Sequence, residues 1–376
     1  MTHTRSLSWL LLVALPFLPG CPTGGGGEGG FGGTAAAVLY TANDGSNTVS
    51  SFTIGGGGVL SPTSPASTGA NNPEWLTVSS NGQFLYVSNL GTHTISSFTI
   101  NGTNGVLTAG GTPITVPGTN PSPRGIVITP NRQFLYAANS ATNTVAGFSV
   151  GTGGVLTSTT QGTIATGGTL ARGVAVSPNG QFLYVANSGS DTISGYVIGA
   201  GGALSAIGGS PVSTGTGSSP EGLTVSPNGA FLFVAYRGID RVAAFAIGSG
   251  GTLAAAIPQA SFVTGIGGEG PQRVAITPNG GYLYVTNTAT NEIAAFAIGS
   301  GGQLTLIGPN TSTGAGTAPI GVTIDPTGQF LYVANSGMNE VGGFRIAANG
   351  TLSATTPATF SVSPNVPVGI ATPGRP

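Results

Sequence analysis

The chain has 376 residues, of which only 5% are charged, and its formal net charge is −1. It contains no lysine and shows no basic stripe that could displace counterions, which excludes nucleic acid as a partner. One cysteine and two histidines rule out a disulfide framework, a zinc ligand set and covalent haem attachment, so no metal or cofactor is expected.

The amino-terminal stretch carries Arg5, an apolar run over 7–18 and small residues before Cys21. That run is too short to span a bilayer and has the layout of a secretory signal. The segment resembles a bacterial lipobox, which implies a lipoprotein signal peptide over 1–20 and a lipidated Cys21. The expected protein is therefore exported and held to a membrane through Cys21, in the periplasm or at the cell surface. Pro22, where an aspartate would signal inner-membrane retention, points to the outer membrane of a two-membrane cell. Residues 21–37 are Gly-rich and read as a flexible leash. Residues 374–376 form a short tail.

Between these ends the sequence repeats itself. Tyr40, Tyr86, Tyr136, Tyr184, Phe233, Tyr284 and Tyr332 recur every 46 to 51 residues. Twelve residues after each stands a second aromatic, from Phe52 and Phe98 through to Phe344, and twenty or twenty-one after each stands a leucine. A β-branched residue precedes all but the first by eight, from Val78 to Ile324. Each repeat holds four short runs of β-branched and aromatic residues. Turns such as Pro178-Asn179-Gly180 and Gly201-Gly202 join them. Four strands per repeat at this period predict a propeller blade.

The first repeat begins at its second strand, and an isolated first strand lies at 366–372. The two termini are therefore expected to share one blade and remove the exposed edge. The fold class is all-β, a seven-bladed β-propeller over 38–373.

Runs such as Phe182-Leu-Tyr-Val-Ala-Asn187 and Tyr282-Leu-Tyr-Val-Thr-Asn287 resemble the Y-V-T-N repeats of bacterial surface propellers and of the seven-bladed lactonase family, which includes 6-phosphogluconolactonase. Within residues 220–240, Glu221 is similar in place to that family's glutamate. Arg237-Gly-Ile-Asp240 is similar to its R-G-x-D run. Ala171-Arg172-Gly173 stands on the family's P-R-H, with glycine in place of histidine, and Asn187-Ser188 stands on its N-E. The resemblance implies Glu221 as general base, with Arg172 and Arg237 holding an acidic group and the developing oxyanion.

The residues opening the first strands meet on one face near the axis: Glu74, Arg124, Arg172, Glu221, Gln272, Ile320 and Val368. Arg237 closes a second strand on that face. Arg273 follows Gln272, and one step along a strand reverses side-chain direction. These charges read in two ways, as ion pairs between blades or as an anion-recognising pocket in which Glu74, Arg124, Arg273 and Asp240 join the binding group. The function expected first is a binding module at the cell envelope for a protein, glycan or small anion. The alternative is a lactonase-type hydrolase opening an acidic sugar lactone. His93 reads as a solvated turn residue, and the asparagines ending second strands as caps on their own backbone.

Overall fold

In the computed structural model, residues 37–255, 261–263, 270–362 and 366–373 are described. The expected signal peptide, Cys21, the leash up to residue 36 and the tail lie outside them. Seven antiparallel sheets form seven blades in a ring. Blade 2 shows the plan, with strands Pro73–Val78, Phe84–Asn89, Thr94–Ile100 and Leu107–Ala109 paired in that order. A fifth piece, Ile114–Thr115, pairs with the far end of the third strand. Blades 1, 4 and 6 break the fourth strand in the same way, blade 5 pairs Leu253–Ala255 and Ser261–Val263 with its third strand, and blades 3 and 7 run the fourth strand unbroken as Leu156–Ala165 and Leu352–Ser361.

Ring closure follows the sequence expectation. Val38–Asn43 pairs on one side with Thr48–Ile54 and on the other with Pro367–Ala371. No edge is left at the seam.

Packing between blades explains the aromatic repeat. The second strands are almost wholly buried, as in Phe182–Asn187 and Phe330–Asn335. The hydrophobic core forms seven clusters, each drawn mainly from two neighbouring blades. Leucines such as Leu85, Leu135 and Leu331 are fully buried in them, at about 1.5–3 kcal/mol each. The repeat tyrosine sends its hydroxyl into the next blade. Tyr40 donates to the Gly105 carbonyl, Tyr86 to Gly154, Tyr136 to Gly202, Tyr184 to Gly251 and Tyr284 to Gly350, all at 2.8–3.0 Å. Tyr332 donates to Gly58 at 2.9 Å, which ties blade 7 to blade 1. Burial raises all six phenols above their ordinary value. Phe233 breaks the series.

A second latch repeats around the ring. Asn47, His93, Asn143, Asp191, Asp240, Asn291 and Asn339 all have left-handed backbone, with φ between 54° and 60°. Each accepts the backbone N–H that leads into the next blade. The donors, in the same order, are Asn72, Ser122, Leu170, Ser219, Gly270, Ala318 and Val366. His93 does this with Nδ1 at 3.3 Å. Its reading as a solvated turn residue is thereby corrected: it holds two blades together. The strand-ending asparagines also differ from expectation. Asn43 and Asn187 donate not to their own backbone but to hydroxyls on the third strand, Thr48 and Ser50 in one case, Thr192 and Ser194 in the other.

Candidate functional site

The first strands surround the axis, and each carries an irregularity near its start. In blade 6, Pro271 pairs with Asn287 and Val274 with Val285. Two residues, Gln272 and Arg273, therefore face the single Thr286. Such a bulge breaks the alternation of side chains. This is why Arg273 turns toward the axis instead of away from it.

Three guanidiniums gather round one carboxylate there. Glu221 is only 3% exposed. Its Oε1 lies 3.0 Å from Arg172 Nη1 and 3.8 Å from Arg237 Nη1, and its Oε2 lies 3.9 Å from Arg273 Nη1. Arg124 donates to Glu74 at 2.7 Å beside this group. Arg172 and Arg124 are partly exposed, Arg237 is half-exposed and Arg273 is almost fully buried. Burial is the largest influence on Arg273 and pulls its guanidinium below the ordinary arginine value. Glu221 and then Glu74 oppose that pull, while Arg172 and Arg124 reinforce it. Four cations thus face two carboxylates, a balance that favours an anionic guest. Asp44 borders the group: burial, and then repulsion from Glu74, raise its carboxyl above the usual aspartate value of 3.8.

Of the residues expected at the site, Glu221, Arg172, Arg237 and Arg273 converge, and Glu74 and Arg124 form an adjoining pair. Asp240 is placed differently. Its Oδ1 accepts the Gly270 N–H at 2.9 Å in the inter-blade latch. Among the described residues no group of three His, Cys, Asp or Glu side chains is placed to hold a metal.

Trp75 is a participant that the charge pattern did not reveal. The Arg273 guanidinium carbon lies 4.4 Å from the centroid of its ring. A signal for both residues exists in the repeats. The residue after each strand-opening position is Gly125, Gly173, Gly222, Gly321 or Gly369 in five blades, but Trp75 and Arg273 in the other two. A Cβ on Gly125 would lie 2.4 Å from the Arg172 carbonyl oxygen, and one on Gly173 would lie 2.1 Å from that of Glu221. Neighbouring first strands are therefore too close for any side chain. The histidine of the family pattern does not fit at 173 on this backbone. Blades 2 and 6 compensate with a hydroxyl where the other five have alanine. Ser88 donates to the Arg124 carbonyl at 2.7 Å and Thr286 to the Ile320 carbonyl at 2.8 Å. The hydroxyl thus ties the blade to its neighbour beside the position where a side chain replaces glycine.

The family model described as lactonase, 7-bladed β-propeller matches residues 34–122, 118–217 and 254–368. The chain belongs to this lactonase family. The matched ranges leave out 218–253, the stretch that supplies Glu221 and Arg237. No curated protein matches the chain. Several solved structures share its fold. A candidate 6-phosphogluconolactonase from Bacteroides uniformis superposes with a TM-score of 0.78 at 22% identity, covering 90% of this chain and 99% of that one. A second, from Bacteroides fragilis, gives 0.77 at 22%, covering 90% and 98%. The periplasmic gluconolactonase of Pseudomonas aeruginosa gives 0.77 at 21%, covering 91% and 100%. At these identities the likeness is one of fold, and the chemistry of this lactonase-family chain has to be argued from its own residues.

Proposed function

We propose that the chain is a lactone hydrolase acting on an anionic sugar lactone. The observation that carries this reading is the convergence of Arg172, Arg237 and Arg273 on the buried Glu221 at the axis of a lactonase-family propeller. In the reaction, Glu221 takes a proton from water as the oxygen adds to the lactone carbonyl. The arginines stabilise the oxyanion so formed. The ring C–O bond then breaks, and the departing oxygen recovers the proton from Glu221. The product is the open hydroxy acid.

The test is hydrolysis of gluconolactone, a sugar-diacid lactone with a free carboxylate and 6-phosphogluconolactone, followed by pH-stat. Turnover above the spontaneous rate is expected, and Glu221→Gln should lower kcat by about 10²–10⁴-fold. Rates equal to the uncatalysed ones on every substrate would end this reading. One contact favours a second: with Arg172 at 3.0 Å, Glu221 already has a cation beside it. That suits a module which binds an anion at the cell envelope without converting it. Saturable binding with no turnover would establish this reading instead.

We further propose that the protein is exported and anchored through a lipidated Cys21, with the Gly-rich 22–37 as its leash. Metabolic labelling with a radioactive fatty acid tests this, since the label should be absent from Cys21→Ser.

A further inference from the structure

The glycine ring leaves space at the axis, and Trp75 and Arg273 occupy only part of it. A cavity of about 40 Å³ for atom centres remains, lined by both residues together with Gly125, Gly173, Gly222 and Val274. Arg273 is 8% exposed. Its Nε and Nη1 are buried and have no hydrogen-bond partner. The distance from Nη1 to Glu221, 3.9 Å, is an ion-pair separation and too long for a hydrogen bond. A buried guanidinium with unmade bonds is costly, and its cost falls when an acceptor arrives. Stacking on Trp75 occupies one face of the guanidinium and satisfies none of its N–H donors. The charge balance points the same way. Arg124 is matched by Glu74 and Arg172 by Glu221, so Arg273 is the buried cation left in surplus.

We propose that this cavity is a monoanion subsite in which Arg273, stacked on Trp75, takes a carboxylate. Charge selects the class of guest. One surplus buried guanidinium is neutralised by the single charge of a carboxylate, which its paired N–H donors also match, whereas a phosphate monoester brings close to two. The Ser88 and Thr286 hydroxyls support the assignment. They accompany the only two side chains admitted to the ring, so the stack is built into the fold and is not an accident of packing. Resting on the hydrolase reading above, the anion is the substrate's own carboxylate, and the substrate is the lactone of a sugar diacid, whose second carboxyl stays free.

The chain has two tryptophans, so in a Trp9→Phe background Trp75 is the single tryptophan and, excited beyond the tyrosine band, reports the cavity directly. Formate and acetate should change its emission saturably. Phosphate and chloride at matched ionic strength should not. At a tenfold excess over Kd, formate should also raise the thermal midpoint by about 2 °C, and Arg273→Gln should abolish both effects. Emission and midpoint that respond to formate no more than to chloride would overturn the subsite, as would an undiminished response in Arg273→Gln. Turnover separates this proposal from the one before it. A formate response without hydrolysis of any lactone keeps the subsite and removes the hydrolase. Hydrolysis that prefers phosphorylated over carboxylated lactones, with no formate response, keeps the hydrolase and removes the subsite. If both stand, Arg273→Gln should lower kcat/KM for the carboxylated lactone about tenfold relative to a neutral one.

Discussion

Removing the Tyr332 hydroxyl with Tyr332→Phe tests the closure of the ring. That hydroxyl donates to the buried Gly58 carbonyl at 2.9 Å, and it is a side-chain bond between the last blade and the first. Its loss costs the net bond and leaves a buried acceptor unsatisfied, about 1–2 kcal/mol. A propeller of this length has an unfolding entropy of about 0.7 kcal/mol per kelvin, so the midpoint should fall by about 2 °C. The repeats supply the controls. Tyr136→Phe removes the equivalent bond in mid-ring, at 2.9 Å to Gly202, and should cost the same. Phe233→Tyr restores the missing member of the series and should raise the midpoint by about 1–2 °C. Scanning calorimetry on the four proteins decides the matter. A Tyr332→Phe protein as stable as the parent, beside a weakened Tyr136→Phe, would show that the seam is not closed as described.

Other outcomes follow from the same contacts. His93→Asn should keep the latch to Ser122, because asparagine fills that role in four other blades, while His93→Ala should lose about 1 kcal/mol in chemical denaturation. Asp191 is held below the usual aspartate value chiefly by the Ser219 N–H, with burial opposing and Gly217 and Ser218 assisting. Its stabilisation is therefore complete above pH 3.8 and is lost as the pH falls through the lowered value. An acid titration of stability should show a steeper fall for the parent than for Asp191→Asn. Asp44 carries the opposite sign, since its raised value means that stability is lost as the pH rises above 3.8. Asp44→Asn should match or exceed the parent in midpoint at pH 7, and the gap should close below pH 3.8. Gly173→Ala sets a Cβ 2.1 Å from the Glu221 carbonyl oxygen and should cost about 2–3 kcal/mol by forcing blades 4 and 5 apart. It should also disturb any activity that depends on Glu221.

Much of the architecture was legible in the chain because a propeller repeats one local problem. Each blade needs the same turn, the same buried aromatic and the same leucine, so their spacing carries the fold. The carboxylate–guanidinium group was legible to the same extent. Glu221, Arg172 and Arg124 open strands, and opening positions meet at the axis. Arg273 was placed in the binding group, but the direction of its side chain was not legible, because period-two alternation fails at a bulge. Trp75 lay hidden in plain view. Its meaning appears only when the position is compared across blades and found to be glycine in five of seven. His93 was misread for a related reason. Side-chain chemistry suggested solvent, whereas the left-handed backbone turns it, like Asp240, toward the next blade.

The number of blades, the shared terminal sheet and the ring of charged strand openings were determined by the sequence by itself, since each follows from local periodicity. Which of those charges touch, which side chain enters the axial space and how much room remains beside it were decided only by the tertiary structure. Those outcomes depend on distances between strands far apart in the chain, set by how closely glycines let the blades approach.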